Sequence, residues 1–225
     1  LYSLQKQLKF YKSQGVKGVF LNASGYDFTS FGDLKSFVAG ALLKNTEENV
    51  DELCKVFLKK YYPKNNQLLL DYYLSLEKSF ALKNKTYNLY GGFDEIINSY
   101  LDVEQFIKFY NAVEKAIPNT SGEEKERLLK LYTALSYTKL QIAYIKVSGE
   151  NGCGKIIGNE LVISPKMNKI VKNLANSSNY SNLNNYKEAK GELFKYINFW
   201  KSEILNKRFE NLLINEPVYI SSVTD

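Results

Sequence analysis

The segment whose residue types and spacing come nearest to a chemical device is residues 149–155, Gly-Glu-Asn-Gly-Cys-Gly-Lys. It fits the G-x-x-x-x-G-K pattern of a phosphate-cradling loop. That chemistry needs backbone N–H groups to wrap the phosphates, a lysine to reach them, and a Ser or Thr hydroxyl next in line to hold magnesium. The hydroxyl position here is Ile156. The loop should also leave a strand and enter a helix. Instead the residues before it carry helical periodicity from Glu123 through Ile145, and residues 156–164 read as extended. The segment is therefore read as a helix-to-strand connection, with a nucleotide-binding protein as the third of three functional readings.

Other reactive groups are scarce. The chain has no histidine, which removes the commonest general base and metal ligand and excludes Ser-His-Asp and Cys-His catalysis within it. Cys54 falls on an apolar helical face and Cys153 in the Gly-rich segment. Two cysteines so placed form neither a disulfide framework nor a four-ligand zinc site. Asp94 and Glu95 are adjacent in sequence, so they diverge on a helix and suit first-turn partners of its dipole better than a facing acid–base pair. No catalytic residue, cofactor or metal site is assigned.

Aromatic residues are abundant, with 18 Tyr, 13 Phe and one Trp. Most fall on apolar helical stripes and read as core. Tyr26, Phe28 and Phe31 differ, because they lie in a loop that follows a strand-like run, where binding sites are commonly built. The net charge of +6 comes from 30 basic and 24 acidic residues. The positive charge is nearly all lysine, spread along the chain and mixed with glutamate. Phosphate recognition favours clustered basic side chains with arginine forks, so no nucleic-acid partner is expected. The longest apolar run, residues 37–43, is about seven long against the ~20 needed to cross a bilayer, so no membrane span is expected.

These groups must be carried by helices. Leu1, Leu4, Leu8 and Tyr11 share a face, and Gly15 then ends the helix as a left-handed cap. Because the chain opens on Leu1 already in helical register, a preceding segment is expected. Residues 16–21, Val-Lys-Gly-Val-Phe-Leu, are the strand of the first half. Buried alone, one strand leaves its backbone unpaired, so this one requires a sheet the rest of the chain does not supply. Leu34, Phe37, Val38, Ala41 and Leu42 form the next stripe.

Thr46 is read as an N-cap, with Glu47 and Glu48 in the first turn of a helix bearing Val50, Leu53, Phe57 and Tyr61. Pro63 is read as the start of a helix bearing Leu69, Tyr72, Tyr73, Leu76 and Phe80, and residues 88–92 as a loop. Asp102 with Gln105, and Ser121 with Glu124, have the spacing of capping boxes, the second opening a helix through Leu128, Leu131, Leu135, Ile142 and Ile145. Residues 161–163 read as a short strand. Ser164 and Pro165 begin a helix bearing Met167, Ile170, Val171 and Leu174. Residues 176–185 read as an Asn/Ser-rich linker. A last helix carries Tyr186, Leu193, Ile197, Trp200 and Ile204, and residues 218–223 suggest a terminal strand. The fold class is mainly α: a multi-helical array with one N-terminal strand and minor extended segments.

The order of these elements resembles the last helix and eighth strand of a (β/α)8 barrel running into a helical C-terminal region. The family is an uncharacterised bacterial one, glycoside-hydrolase-like and distantly similar to α-glucuronidases, from glycan-utilising bacteria. Its strand reads Gly-Val-x-Gly plus apolar residues. The helix after it reads Leu-x-x-(Tyr/Phe)-Val-x-Ala-x-Leu-Leu-Trp-Asn-Pro, followed by Val-Asp-x-Leu and Phe-x-x-x-Tyr-Tyr-Gly. The chain matches at Gly15, Val16, Gly18, Leu34, Phe37, Val38, Leu42, Leu43, Asn45, Val50, Asp51, Leu53, Phe57, Tyr61 and Tyr62. It departs with Lys44 for Trp, Thr46 for Pro and Pro63 for Gly. The match is carried by residues 1 to about 80.

The resemblance implies that residues 1–32 complete a barrel-like domain and 33–225 form the helical C-terminal region. In such barrels the site sits on loops at the C-terminal ends of the strands. Asn22, Ser24, Tyr26 and Asp27 would then face a carbohydrate cleft as substrate contacts, while the paired carboxylates of the reaction would lie upstream, leaving this chain inactive alone. The implied partners are a carbohydrate and an upstream barrel domain of the same polypeptide, and the implied location is periplasmic or cell-surface. The alternative from another class is a stand-alone helical protein-interaction module.

Overall fold

The computed structural model describes residues 1–21, 30–83, 92–99, 101–176, 192–206 and 209–210. They are mainly helical. In chain order the helices are α1 (Tyr2–Ser13), α2 (Gly32–Lys44), α3 (Val50–Tyr61), α4 (Asn66–Leu82), α5 (Phe93–Ser99) and α6 (Val103–Ala116), with a 3₁₀ turn at Ile117–Asn119. There follow α7 (Gly122–Lys146), strands β1 (Gly154–Ile157) and β2 (Glu160–Ile163), α8 (Pro165–Ala175), α9 (Glu192–Phe199) continuing into a π-helical stretch (Trp200–Leu205), and β3 (Phe209–Glu210). The chain divides into two units, Leu1–Lys139 and Leu140–Asp225. The division expected after residue 32 rests on the barrel resemblance. Inside this chain, α1 packs against α2, and α2 against α3.

The first unit follows its hydrophobic periodicity in part: of the expected stripes Tyr11, Phe37 and Phe80 are exposed. Leu34, Val38 and Leu42 of α2, Val50, Cys54, Phe57 and Leu58 of α3, Leu69, Tyr72 and Tyr73 of α4, and Phe106, Phe109, Tyr110 and Val113 of α6 are all buried. Fully burying one aliphatic or aromatic side chain of this size contributes ~1.5–3 kcal/mol. Two helix starts lie later than the sequence suggests. Asn49, not Thr46, caps α3, its Oδ1 accepting from the Glu52 amide at 3.1 Å, so Asp51 and Glu52 occupy the first turn. Thr46 is buried instead, and its carbonyl and that of Glu48 accept from Gln5 Nε2 of α1. Pro63 does not open α4 but precedes it, its carbonyl accepting from Asn66 Nδ2 at 2.7 Å.

Gly15 holds φ +74, the left-handed stop expected after α1. Residues 16–21 beyond it form no ladder with any described residue. Their apolar side chains are open to solvent, Phe20 at 89%. The reason is the one that makes the sequence want a sheet here: a strand without neighbours has no partner for its backbone.

Among the described residues of the second unit, Leu140, Ala143, Cys153, Met167, Ile170, Val171, Leu174, Ile197, Trp200 and Ile204 meet in an apolar cluster. Ser164 caps α8 by accepting from the Lys166 amide, with Pro165 in the first turn, as the sequence suggests. β1 and β2 pair antiparallel, Gly154 opposite Ile163, and β3 adds to β2 at Leu161–Phe209. A Cβ at Gly154 would come within 2.0 Å of the Val162 carbonyl oxygen, so the ladder closes only over glycine there. The expected strand at residues 161–163 is β2. Of the loop at residues 88–92 only Gly92 is described, and of the linker at residues 176–185 only Asn176. Tyr186 and the terminal strand at residues 218–223 lie outside the described residues.

Candidate functional site

In the first unit a small cleft opens at the start of α2, lined by Phe31, Gly32, Asp33 and Leu34, by Phe57, Leu58 and Tyr62 from α3 and its end, and by Arg127, Lys130 and Leu131 of α7. Its cavity volume is about 40 Å³, room for a few waters or one small polar group. The floor is apolar because Leu34 and Leu58 are core residues of their helices. The rim is polar because Asp33 of α2, Tyr62 just past α3, and Arg127 and Lys130 of α7 line it.

Phe31 shapes one wall. As the residue before α2 it has φ 60 and ψ 26, a left-handed conformation that costs a non-glycine residue ~1–2 kcal/mol. Its ring offsets that cost by packing, 5.0 Å from Tyr73 and 6.1 Å from Phe109 between ring centres. Tyr72 and Phe109 beside it stack at 3.8 Å, nearly parallel. Phe31, one of the loop aromatics expected near a site, is thus committed to an aromatic core cluster.

Arg127 shapes the opposite wall. Its guanidinium lies 4.7 Å from the centre of the Tyr61 ring, and Nη2 reaches Glu123 Oε2 at 3.3 Å one turn back. The Lys60 ammonium is 5.3 Å from the same ring centre. Cation–π contact of this kind orients a guanidinium without neutralising it. Burial pushes the Tyr62 phenol up to about 12, the Asp33 carboxylate raising it further and Arg127 opposing the rise. Near neutral pH Tyr62 is therefore a hydroxyl able to donate or accept a hydrogen bond, not a base. The cleft can seat a small polar group. Among the described residues it has no nucleophile paired with a base.

Next to it, Glu124 of α7 is 8% exposed. Its carboxylate accepts from the amides of Lys64 and Asn65 at 3.2 and 3.1 Å and from Asn65 Nδ2 at 2.8 Å. It thereby caps the start of α4 across the fold. The box expected between Ser121 and Glu124 is not closed by Glu124, because these long-range donors hold its side chain. In the other expected box Asp102 does accept from the Gln105 amide at 2.9 Å, but Gln105 Nε2 donates to Ser75 Oγ of α4 rather than back to residue 102.

The chain matches no family model, no curated protein and no solved structure. What can be said of its chemistry therefore rests on its own geometry. Asn22, Ser24, Tyr26 and Asp27 lie outside the described residues, as does Phe28. The stretch that holds them joins the described chain at Ser30, one residue before the cleft wall.

Residues 149–155 are a connection from helix to strand, as read from the sequence. The Gly152 amide donates to the Gly149 carbonyl, Gly149 to Gly154 and Cys153 to Val147. Amides satisfied within the loop are not aimed at a phosphate. Asp94 and Glu95 occupy the first turn of α5, both exposed. Cys54 and Cys153 are buried free thiols, and burial pushes them up to about 12 and about 11. Among the described residues no three His, Cys, Asp or Glu side chains converge as a metal site, and no helix is long and apolar enough to cross a membrane.

The cleft is all but invisible to local sequence rules. Tyr62 and Arg127 are far apart along the chain, and each alone looks like an ordinary surface residue. The one usable signal was Phe31, an aromatic at a helix start with no side-chain cap.

Proposed function

We propose that this chain is the helical C-terminal region of a glycoside-hydrolase-like protein of bacterial glycan utilisation. In this reading it buttresses an upstream barrel domain of the same polypeptide and closes one side of a carbohydrate cleft. The observation that carries the reading is the apolar run at residues 16–21. It lies between two helices that pack against each other and has no ladder partner among the described residues. A barrel's last strand has that setting, between two neighbouring outer helices, and its missing partners would be the adjoining strands. Tyr26 and its neighbours would follow the end of that strand and contact the sugar, with Asn22, Ser24 and Asp27 as further substrate contacts.

The test compares the polypeptide carrying its upstream region with this 225-residue chain on a panel of glycans. Cleavage or binding by the long form alone supports the reading. In the long form, Tyr26→Ala should weaken oligosaccharide binding by about tenfold, the loss of one stacking contact of ~1–1.5 kcal/mol, with the melting temperature nearly unchanged. Unaltered affinity removes Tyr26 from the site.

The second reading, a helical protein-interaction module, draws on the same surface. Phe10 and Tyr11 at the end of α1 are 60% and 37% exposed, beside the open residues 16–21 in sequence. Inactivity of the long form on every glycan, together with capture of a protein partner that Phe20→Asp abolishes, selects this reading over the first.

A further inference from the structure

We draw no further inference here: the strongest candidate, the cleft at the start of α2 rimmed by Tyr62, Arg127 and Lys130, belongs to the site already described and holds no second feature that points to a particular ligand, while for the exposed apolar run at residues 16–21 and the open β1 edge at Ile156 and Ile157 nothing in the structure shows what covers them.

Discussion

In the first unit the carboxylate of Glu124, 8% exposed, gathers three N–H donors from the start of another helix. In the second unit the indole of Trp200 is 0% exposed, and its Nε1–H has no acceptor among the described residues. Both are polar atoms taken out of water, and the cost of doing so is recovered only where a partner waits. Glu124 therefore ties α7 to α4 with directional bonds. Among the described residues Trp200 joins α8 and α9 by packing, with no bond from its N–H to add to that. The first unit repeats its pattern elsewhere, in the chain from Tyr110 Oη to Ser136 Oγ to the Tyr132 carbonyl and in Tyr132 Oη donating to Glu114.

The largest test of this contrast is Trp200→Ala. It should cost the second unit ~3–5 kcal/mol, read as lost hydrogen-exchange protection in α8 and α9. Trp200→Phe keeps most of the buried ring and discards the unpartnered donor, so it should cost much less. Equal losses from the two variants would mean that the indole N–H is satisfied after all and that the contrast is false.

Glu124→Ala comes next. Stranding the donors at the start of α4 should cost ~2 kcal/mol, with Glu124→Gln, which keeps an acceptor, losing about half as much. The readout is exchange protection of the α4 amides along with the denaturant midpoint. A neutral Glu124→Ala would show that water replaces the carboxylate and that its bonds are incidental.

A smaller effect, absent near neutral pH, comes from the thiols. Burial raises the Cys153 thiol from 9.0 to about 11 and the Cys54 thiol from 9.0 to about 12. Above pH 9 the unfolded chain loses these protons while the folded chain keeps them. Stability is thus fully present below pH 9 and falls as pH rises towards about 11 for the second unit and about 12 for the first. Cys153→Ala should flatten the alkaline decline of the second unit and leave that of the first unchanged, in denaturation midpoints followed from pH 8 upward. The smallest effect is Gln105→Ala, which removes the bond to Ser75 and should cost ~0.5–1 kcal/mol. A larger loss would place that bond among the main ties of the first unit.

What the sequence made legible was governed by local rules. The stripe of Met167, Ile170, Val171 and Leu174 buries as its spacing demands, and Ser164 with Pro165 begins α8 because capping involves neighbours in the chain. Gly15 likewise stops α1 where a left-handed residue is needed. The errors at the two capping boxes share one cause. Glu124 and Gln105 stand in the right place for local boxes but turn to donors or acceptors on α4. The cap of α3 falls to Asn49 rather than Thr46. A side chain with two possible partners takes the one the tertiary fold brings closest, and single-sequence spacing cannot see that one. The cleft was illegible for the same reason, since Tyr62 and Arg127 meet only after α3 and α7 have packed. The four sugar contacts named from the barrel resemblance lie outside the described residues, so the geometry of the cleft neither uses nor replaces them.

Trp200 is the chain's one tryptophan. An indole sealed in an apolar cluster, with no acceptor for its N–H among the described residues, emits at the blue end of its range and shifts red once water reaches it. The emission colour of this protein is therefore a built-in dye for the second unit, silent about the first, which carries most of the 18 tyrosines and so supplies most of the tyrosine absorbance in the near ultraviolet. One sample, watched in two optical channels, would report whether the two halves of the chain melt together or in sequence.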